Sequence, residues 1–248
     1  MKTIAKNIES LTETEIFNMY SVLNECFSGV SLSGFKQDML DKNSVVILCS
    51  NDGKIQGFST LSMCITKGPD GNSDVTIVCS GDTIVRPEAW GSTALPRAWM
   101  REARQKYEAQ GKGPLYWLLI TSGYRTFRFL PVFIKEYYPH PEKQTPPHLA
   151  QWMHQIATER WGDAYDPALG IVRFPQPQQL RGNLTEVPDS KMRDKHVQHF
   201  LKLNIGHENG DELVSICELS EENLTRPGLR FYHAADRYLH STVASVAK

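Results

Sequence analysis

Two arginines follow an apolar segment of the chain at a spacing that suits the binding of an anion. In the stretch TSGYRTFR, Arg125 and Arg128 are three residues apart, and Thr121, Ser122 and Tyr124 add hydroxyl groups. Residues three apart share one face of a helix, and planar guanidinium groups hold a carboxylate or a phosphate through paired N–H donors. The stretch therefore predicts a substrate-binding rim. The alternative is a pair of arginines that satisfy loop carbonyls or acidic neighbours.

A second stretch, TIVRPEAWGSTALPRAWMREA (Thr83–Ala103), has the outline of a strand that enters a proline-containing turn, meets one glycine and opens a helix. Such a turn can hold a phosphate, because the first N–H groups of a helix are unpaired and point at a bound anion. Glycines normally line it because they let N–H groups approach the phosphate without a clash from Cβ. Only Gly91 is present here. A cofactor site, a modified one and an ordinary strand-to-helix turn all stay open.

Two histidines, His196 and His199, lie three residues apart in a predicted helix, with His207 and Glu208 further along. Metal sites use this spacing, but the sequence fixes no third ligand. We therefore expect a polar helix face and no metal.

The elements ahead of these residues follow from hydrophobic spacing. A capping box at Thr12–Glu15 opens a predicted helix over residues 13–27, and a shorter helix is predicted over residues 32–41. Three predicted strands follow, SVVILCS, IQGFSTLSMCIT and VTIVCSGDTIV, and an Asp-Gly turn joins the first two. Gly81 lies inside the third strand, where a glycine weakens pairing unless a bulge or a close approach requires it.

The following half of the chain alternates helices and strands. A helix is predicted over residues 96–110, with Pro96 as its first residue, and the apolar run LYWLLITSG predicts a strand covered on both faces. A helix kinked or shortened by Pro131 comes next. The proline-rich residues 139–147 mark a boundary. Beyond it we predict helices over 148–161 and 190–203 and strands over 170–174 and 212–219.

This order of elements, over about residues 13–138, resembles the GNAT superfamily of N-acetyltransferases. The segment VRPEAWGSTAL (Val85–Leu95) looks like the family's V-x-P-x-x-(R/Q)-G-x-G-x-(G/A), which joins the fourth strand to the pyrophosphate-binding helix. The family's Arg or Gln is Trp90 here, its second glycine is Thr93, and its last small residue is Leu95. These departures imply a degraded phosphate-binding turn, because side chains replace glycine and small residues beside the phosphate.

The resemblance implies that the fourth and fifth strands part and hold the pantetheine arm of an acyl-CoA. It places a bulge at Gly81 that turns backbone N–H groups towards the acyl carbonyl. An acyl carrier protein, which presents only a phosphopantetheine arm, is an alternative donor, and loss of cofactor binding is a third possibility. The cofactor-binding residues that the resemblance implies are Ile84, Val85, Trp90, Gly91, Ser92, Thr93 and Ala94.

For catalysis, N-acyl transfer needs a base for the amine and an acid for the leaving thiolate. Asp82 is the predicted base because it stands beside the presumed bulge; a solvated carboxylate is the alternative. The family's tyrosine acid aligns with Phe133, so Tyr124 and Tyr138 are predicted substitutes, each with a core or interface role as the alternative. The predicted rim around Arg125 would lie at the lip of the acceptor cleft.

Composition excludes several classes of protein. The net charge is −1, from 27 basic and 28 acidic residues, so neither a basic excess nor a basic stripe points to nucleic acid. No window approaches 18 apolar residues, so we expect no membrane span. The five cysteines stand singly in apolar runs and form no C-x-x-C pair. We expect reduced core cysteines in a cytoplasmic protein.

We therefore expect an α/β protein with a mixed, mostly antiparallel sheet flanked by helices. Residues 1–140 would form a GNAT-like acyltransferase core, and residues 141–248 a C-terminal extension that completes the sheet and covers the acceptor side. The predicted activity moves an acyl group from acyl-CoA or an acyl carrier protein to the amine of a small molecule. A catalytically inactive GNAT-fold binding or scaffold protein is the first alternative, and an unrelated α/β enzyme is the second.

Overall fold

The computed structural model describes residues 1–234, and one sheet of eight strands forms its centre. Only one neighbouring pair in this sheet is parallel, and the other pairs of the described residues are antiparallel. The predicted fold class is confirmed. In spatial order the strands are β1 (Lys2–Asn7), β3 (Ser44–Cys49), β4 (Ile55–Lys67), β5 (Asp74–Val85), β6 (Leu115–Thr121), β10 (Glu212–Glu218), β8 (Ile171–Val172) and β7 (Tyr165–Asp166); β2 (Phe27–Ser28) pairs separately with β9 (Gln179–Leu180).

Helices cover both faces of the sheet. They are α1 (Glu13–Cys26), α2 (Leu32–Met39), α3 (Ala94–Gln110), α4 (Tyr124–Phe127), α5 (Phe129–Phe133), α6 (Pro147–Trp161), α7 (Asp189–Met192), α8 (Lys195–Leu203) and α9 (Arg226–Tyr232). Helices α1, α2 and α6 pack on one face, and α3, α4, α5, α8 and α9 pack on the other. Within the described residues, no helix combines the length and the apolarity needed to cross a bilayer.

Local signals explain where several helices begin and end. The capping box is present, since the Thr12 hydroxyl accepts from the Glu15 N–H and the Glu15 carboxylate accepts from the Thr12 N–H. Helix α3 begins at Ala94, two residues before its predicted start. Pro96 fits in its first turn because the N–H that proline lacks has no partner there. The predicted helix around Pro131 is divided into the short helices α4 and α5.

Strand β1 was not predicted. It pairs antiparallel with β3, from Lys2 opposite Cys49 to Asn7 opposite Ser44. Its sequence KTIAKN lies at the edge of the sheet, where one side has no partner strand, and its Ile4 side chain is largely exposed. A short edge strand of this kind carries no buried stripe that a pattern search would detect.

The parallel pair β5–β6 separates part of the way along its length. Pairing runs from Thr76 opposite Leu115 to Ser80 opposite Leu119 and then stops, while β5 continues along β4 as far as Val85. The register of β4 and β5 shifts where two residues, Gly81 and Asp82, stand against one on β4. That shift is a β-bulge, and it confirms the predicted one. The parting strands open a gap between the end of β5 and the end of β6.

Residues after the proline-rich boundary continue the same sheet. Strand β10 pairs antiparallel with β6, from Leu213 opposite Thr121 to Glu218 opposite Tyr116. Helix α6 is fixed to the sheet by the Trp152 indole, which donates to the Lys67 carbonyl at 2.7 Å. Residues 235–248, the end of the predicted extension, lie outside the described residues.

Candidate functional site

The gap between β5 and β6 opens into a cleft of about 1290 Å³. The end of β5 and the end of β6 form two of its walls. Trp99 on α3 lines it from one face of the sheet, and Asp38 on α2 and Arg160 on α6 line it from the other. The cleft is therefore accessible to groups from both faces at the point where the strands part.

Gly81 allows a close packing contact at the bulge. A Cβ atom at this position would lie 2.2 Å from the Thr60 hydroxyl and 2.7 Å from Cε of Lys42. Both distances are far below van der Waals contact, so a side chain here would displace a neighbour. Lys42 is mostly buried beside the bulge, and its ammonium group forms an ion pair of 3.0 Å with Asp38.

Asp82 is the second residue of the bulge, and its environment disfavours the charged form of its carboxyl group. Its Oδ2 atom is buried and has no hydrogen-bond partner among the described residues. Burial raises the pKa of Asp82 to about 7, and repulsion from the Asp38 carboxylate adds to the increase, while Lys42 opposes it. A carboxyl group with a pKa near neutrality can accept and release a proton under physiological conditions.

Glu212, at the start of β10, lines the same side of the cleft. Burial raises the pKa of Glu212 to about 8, and the charges of Asp82 and Asp38 raise it further, against the effect of Lys42. The residue was not predicted as part of the site. Nothing in the local sequence marks it, because its position depends on the pairing of β10 with β6.

Trp90 and Arg125 form a contact at the mouth of the cleft. The Arg125 guanidinium carbon lies 4.1 Å from the centre of the Trp90 ring and 4.7 Å from that of Tyr124. Arg125 also donates to the Leu184 carbonyl at 2.7 Å, and the Trp90 indole donates to the Val85 carbonyl at 2.8 Å. Arg125 thus packs on the turn that follows β5, beside the predicted cofactor residue Trp90, and its predicted role in substrate binding stays a prediction.

Three other predicted site residues have structural partners. Arg128 forms an ion pair of 3.1 Å with Asp194, whose carboxylate caps α8, so its guanidinium is occupied although it lines the cleft. The Thr121 hydroxyl is engaged with Gly123 of its own turn, at 3.0 and 3.1 Å. Tyr138 lies outside the cleft, with its backbone paired to Ile216. The roles predicted for Arg128, Thr121 and Tyr138 in the site stay predictions.

The other predicted residues line the cleft or its turn. Ser122 and Tyr124 are buried and line the wall formed by the end of β6. Val85 and Trp90 line the opposite wall, and Ile84 reaches both the cleft and the core beneath α1. Aromatic rings line the cleft without filling it: Trp99 and Trp117 pack with ring centres 4.9 Å apart, and the Trp117 indole donates to the Ser80 hydroxyl at 3.1 Å.

The turn before α3 is open. A Cβ atom on Gly91 would meet no atom within 4 Å, so steric crowding within the chain does not require glycine there. Ser92 accepts from the Ala94 N–H at 3.3 Å, and Thr93 caps α3 without a side-chain hydrogen bond. Arg86 is occupied by both carboxylate oxygens of Glu25, at 2.6 and 2.7 Å. The first turn of α3 is thus free of protein anions.

The histidines of the helix predicted over residues 190–203 take part in packing contacts. The Tyr137 hydroxyl is hydrogen-bonded to Nδ1 of His196, and burial lowers the pKa of His196. His199 is also partly buried, with a pKa lowered by desolvation. Both rings therefore belong to the packing of α8 against the segment that follows α5.

The comparisons with known proteins give similarity in fold only. No family model matches the chain, and no curated protein matches it. A protein of unknown function from Enterococcus faecalis V583, described as a probable N-acyltransferase, is 12% identical, with a TM-score of 0.40, over 55% of this chain and 33% of that one. The match thus spans about a third of that protein's length.

Two further structures are described as acetyltransferases. The GNAT-family N-acetyltransferase YhbS from Escherichia coli, in complex with CoA, is 13% identical over 54% of this chain and 70% of that one, with a TM-score of 0.36. A GCN5-related N-acetyltransferase from Kribbella flavida is 10% identical over 90% of this chain and 65% of that one, with a TM-score of 0.38.

Proposed function

We propose that this chain transfers an acyl group from a pantetheine thioester to the amine of a small molecule. The observation that carries the proposal is the bulge at Gly81 and Asp82, placed where the parallel strands β5 and β6 part. There a buried carboxyl group with a raised pKa lines a cleft that is open to both faces of the sheet.

The donor's pantetheine arm would lie between the end of β5 and the end of β6. Beyond Ser80 the edge of β5 that faces β6 has no strand partner among residues 1–234, so an extended amide-containing arm can pair with it as an added strand. Backbone N–H groups at the bulge would then stabilise the negative charge that develops on the acyl oxygen.

The phosphate end of the donor would lie at the first turn of α3. The positive end of the helix dipole, the open position at Gly91 and the Arg125 guanidinium on Trp90 are compatible with a bound anion. Either acyl-CoA or the phosphopantetheine arm of an acyl carrier protein carries such a phosphate. The turn is compatible with both donors.

Asp82 would act as the general base. The amine nitrogen forms a bond to the thioester carbonyl carbon and passes its proton to the Asp82 carboxylate, and the carbon–sulfur bond breaks as the amide forms. The leaving thiolate takes a proton from Tyr124 or from water. The thiols of Cys79 and Cys26, which also line the cleft, have pKa values raised by burial, to about 11 for Cys79, so direct transfer is favoured over an acyl-cysteine.

The segment from residue 141 onward would complete the acceptor side, since it contributes Arg160, Trp161 and Glu212 to the cleft. Calorimetry with acetyl-CoA, a long-chain acyl-CoA and a holo acyl carrier protein tests the donor, and release of free thiol on addition of amines tests the transfer. Binding of one donor with amine-dependent thiol release is expected. Failure of all three donors to bind would favour the inactive scaffold.

A further inference from the structure

The charged residues that line the cleft are distributed unevenly between the two faces of the sheet. On the face that carries α3, the lining cations are Arg125, Arg128 and Lys191. On the face that carries α2 and α6, four carboxyl groups line the cleft, from Asp38, Asp41, Asp82 and Glu212, together with the two cations Lys42 and Arg160. A ligand that reaches the cleft from the α2 side therefore meets more carboxyl groups than cations.

Each of the two cations on this side has a polar partner among the described residues. Lys42 pairs with Asp38 at 3.0 Å, and Arg160 donates to the Ser62 hydroxyl at 2.9 Å. The Asp82 carboxyl group forms a hydrogen bond with Asp38, and its buried Oδ2 atom has no partner among the described residues. The pKa of Glu212 is shifted by burial and by nearby charges, with no contribution from a hydrogen bond. A buried acceptor atom without a donor is unfavourable, so Asp82 Oδ2 can accept from a ligand donor that the described residues do not supply.

We propose that the acceptor is a small amine with two positive charges joined by a short apolar chain, a diamine or polyamine, bound between Asp82 and Glu212. The inference rests on the proposed function, since it assigns the acceptor of that reaction. One ammonium group would pair with Asp82 at the bulge, give it a proton that passes on to solvent, and then react as the neutral amine. The second ammonium group would be held by Glu212.

Aromatic side chains on the same side suit such a ligand. Trp161, at the end of α6, and Phe174, after β8, line the cleft together with Glu212. Ring faces attract ammonium groups and cover methylene groups, so they favour an alkyl amine. An acceptor with its own carboxylate would be repelled by Asp82 and Glu212, and a monoamine would leave one of the two carboxyl groups unpaired.

Binding of the cation should release protons. The pKa values of Asp82 and Glu212 are raised by burial, so both groups are partly protonated near neutral pH, and a bound ammonium favours their charged forms. The charged groups that face them are Asp38, Asp41 and Lys42 from the α2 segment and Arg160 from α6. Calorimetry in two buffers of different ionisation enthalpy measures this release directly.

The test is binding of amines to the full chain without any acyl donor. We expect 1,4-diaminobutane to bind at least about tenfold more tightly than 1-aminobutane or 4-aminobutanoate, because one additional charged pair is worth about that factor. Equal affinity for diamine and monoamine, or tighter binding of 4-aminobutanoate, would overturn the proposal. No variant is needed for this comparison, so a folding defect cannot obscure it.

A pair of variants on one strand locates the site. Glu212→Gln keeps the shape of the protonated side chain and should weaken diamine binding about tenfold, to the level of the monoamine. Glu218→Gln, at the exposed end of the same strand, should bind diamine as the wild type does. An unchanged affinity in Glu212→Gln would contradict the assignment.

The thiol-release assay separates this inference from the proposed function. Diamine binding without thiol release from any donor would retain the amine site and refute acyl transfer. Thiol release with other amines but not with diamines would retain acyl transfer and refute the acceptor assignment.

Discussion

The carboxyl group of Asp82 raises the pKa of Glu212, although β6 lies between their strands in the sheet. Asp82 precedes the proline-rich boundary at residues 139–147, and Glu212 lies beyond it. The two groups interact because β10 extends the sheet beside β6 and brings Glu212 to the place where β5 and β6 part. The later segment therefore alters the electrostatics of the cleft as well as lining it.

Replacement of Asp82 by Asn should abolish the general base. We expect kcat/KM for acyl transfer to fall by about 10²- to 10⁴-fold, with the affinity for the acyl donor unchanged. In the wild type, transfer should increase as the pH rises through about 7, the value to which burial raises the pKa of Asp82. Steady-state kinetics across pH tests both points. A variant that keeps the same pH profile would remove Asp82 from the mechanism.

The same substitution should stabilise the protein at alkaline pH. Because the pKa of Asp82 rises from 3.8 to about 7 in the fold, the unfolded chain releases this proton more readily. The stabilisation present below about pH 4 is therefore lost as the pH rises through 7. Asn resembles the neutral form, so Asp82→Asn should have a higher Tm than the wild type at pH 8, by about 2–4 °C per kcal/mol.

The control for this effect is the pH dependence of the difference. The gain in Tm should shrink towards pH 4, where the wild-type carboxyl group is neutral in the fold. Thermal unfolding of both proteins at several pH values measures it. A difference in Tm that stays constant with pH would mean that the substitution acts through packing and not through charge.

Substitution by alanine should have different effects on stability at Gly81 and at Gly91. Gly81→Ala places Cβ 2.2 Å from the Thr60 hydroxyl and 2.7 Å from Lys42, so it should lower the free energy of unfolding by about 1–3 kcal/mol. Gly91→Ala meets no atom within 4 Å and should leave the stability unchanged. Denaturant unfolding compares the two. Equal stabilities would mean that the bulge adjusts without strain.

Gly91→Ala also tests the donor site, because it leaves the fold intact. If a phosphate is bound at the first turn of α3, a methyl group at this position crowds it, and the affinity for acyl-CoA should fall. Calorimetry with acetyl-CoA measures the change. Unchanged affinity would place the phosphate elsewhere.

Local signals in the sequence were sufficient for most elements and for the bulge. The capping box at Thr12, the Asp-Gly turn and Gly81 each reflect a constraint that neighbouring residues impose, so a single sequence contains it. Strand β1 was missed because an exposed edge strand leaves no buried stripe. The predicted start of α3 was Pro96, because proline favours the first position of a helix. In the structure the helix begins at Ala94, and Pro96 is its third residue, still within the first turn.

Site residues that depend on distant pairing could not be predicted in the same way. Glu212 enters the cleft only through the register of β10 with β6, and Asp38 and Lys42 only through the packing of α2 beside the bulge. Arg125 was expected on the acceptor side from its position after β6. Its contact with Trp90 joins two turns that are distant in sequence, and no local pattern indicates such a contact.

The contact between Arg125 and Trp90 leads to a prediction about the donor. If Arg125 binds the phosphate of the pantetheine arm while packed on the indole, Arg125→Ala should weaken donor binding about tenfold or more and leave diamine binding unchanged. Arg193→Ala removes an exposed arginine outside the cleft and controls for the loss of one positive charge. Calorimetry with acetyl-CoA and with 1,4-diaminobutane measures the two sites separately. If Arg125→Ala weakens the amine and spares the donor, Arg125 belongs to the acceptor side after all.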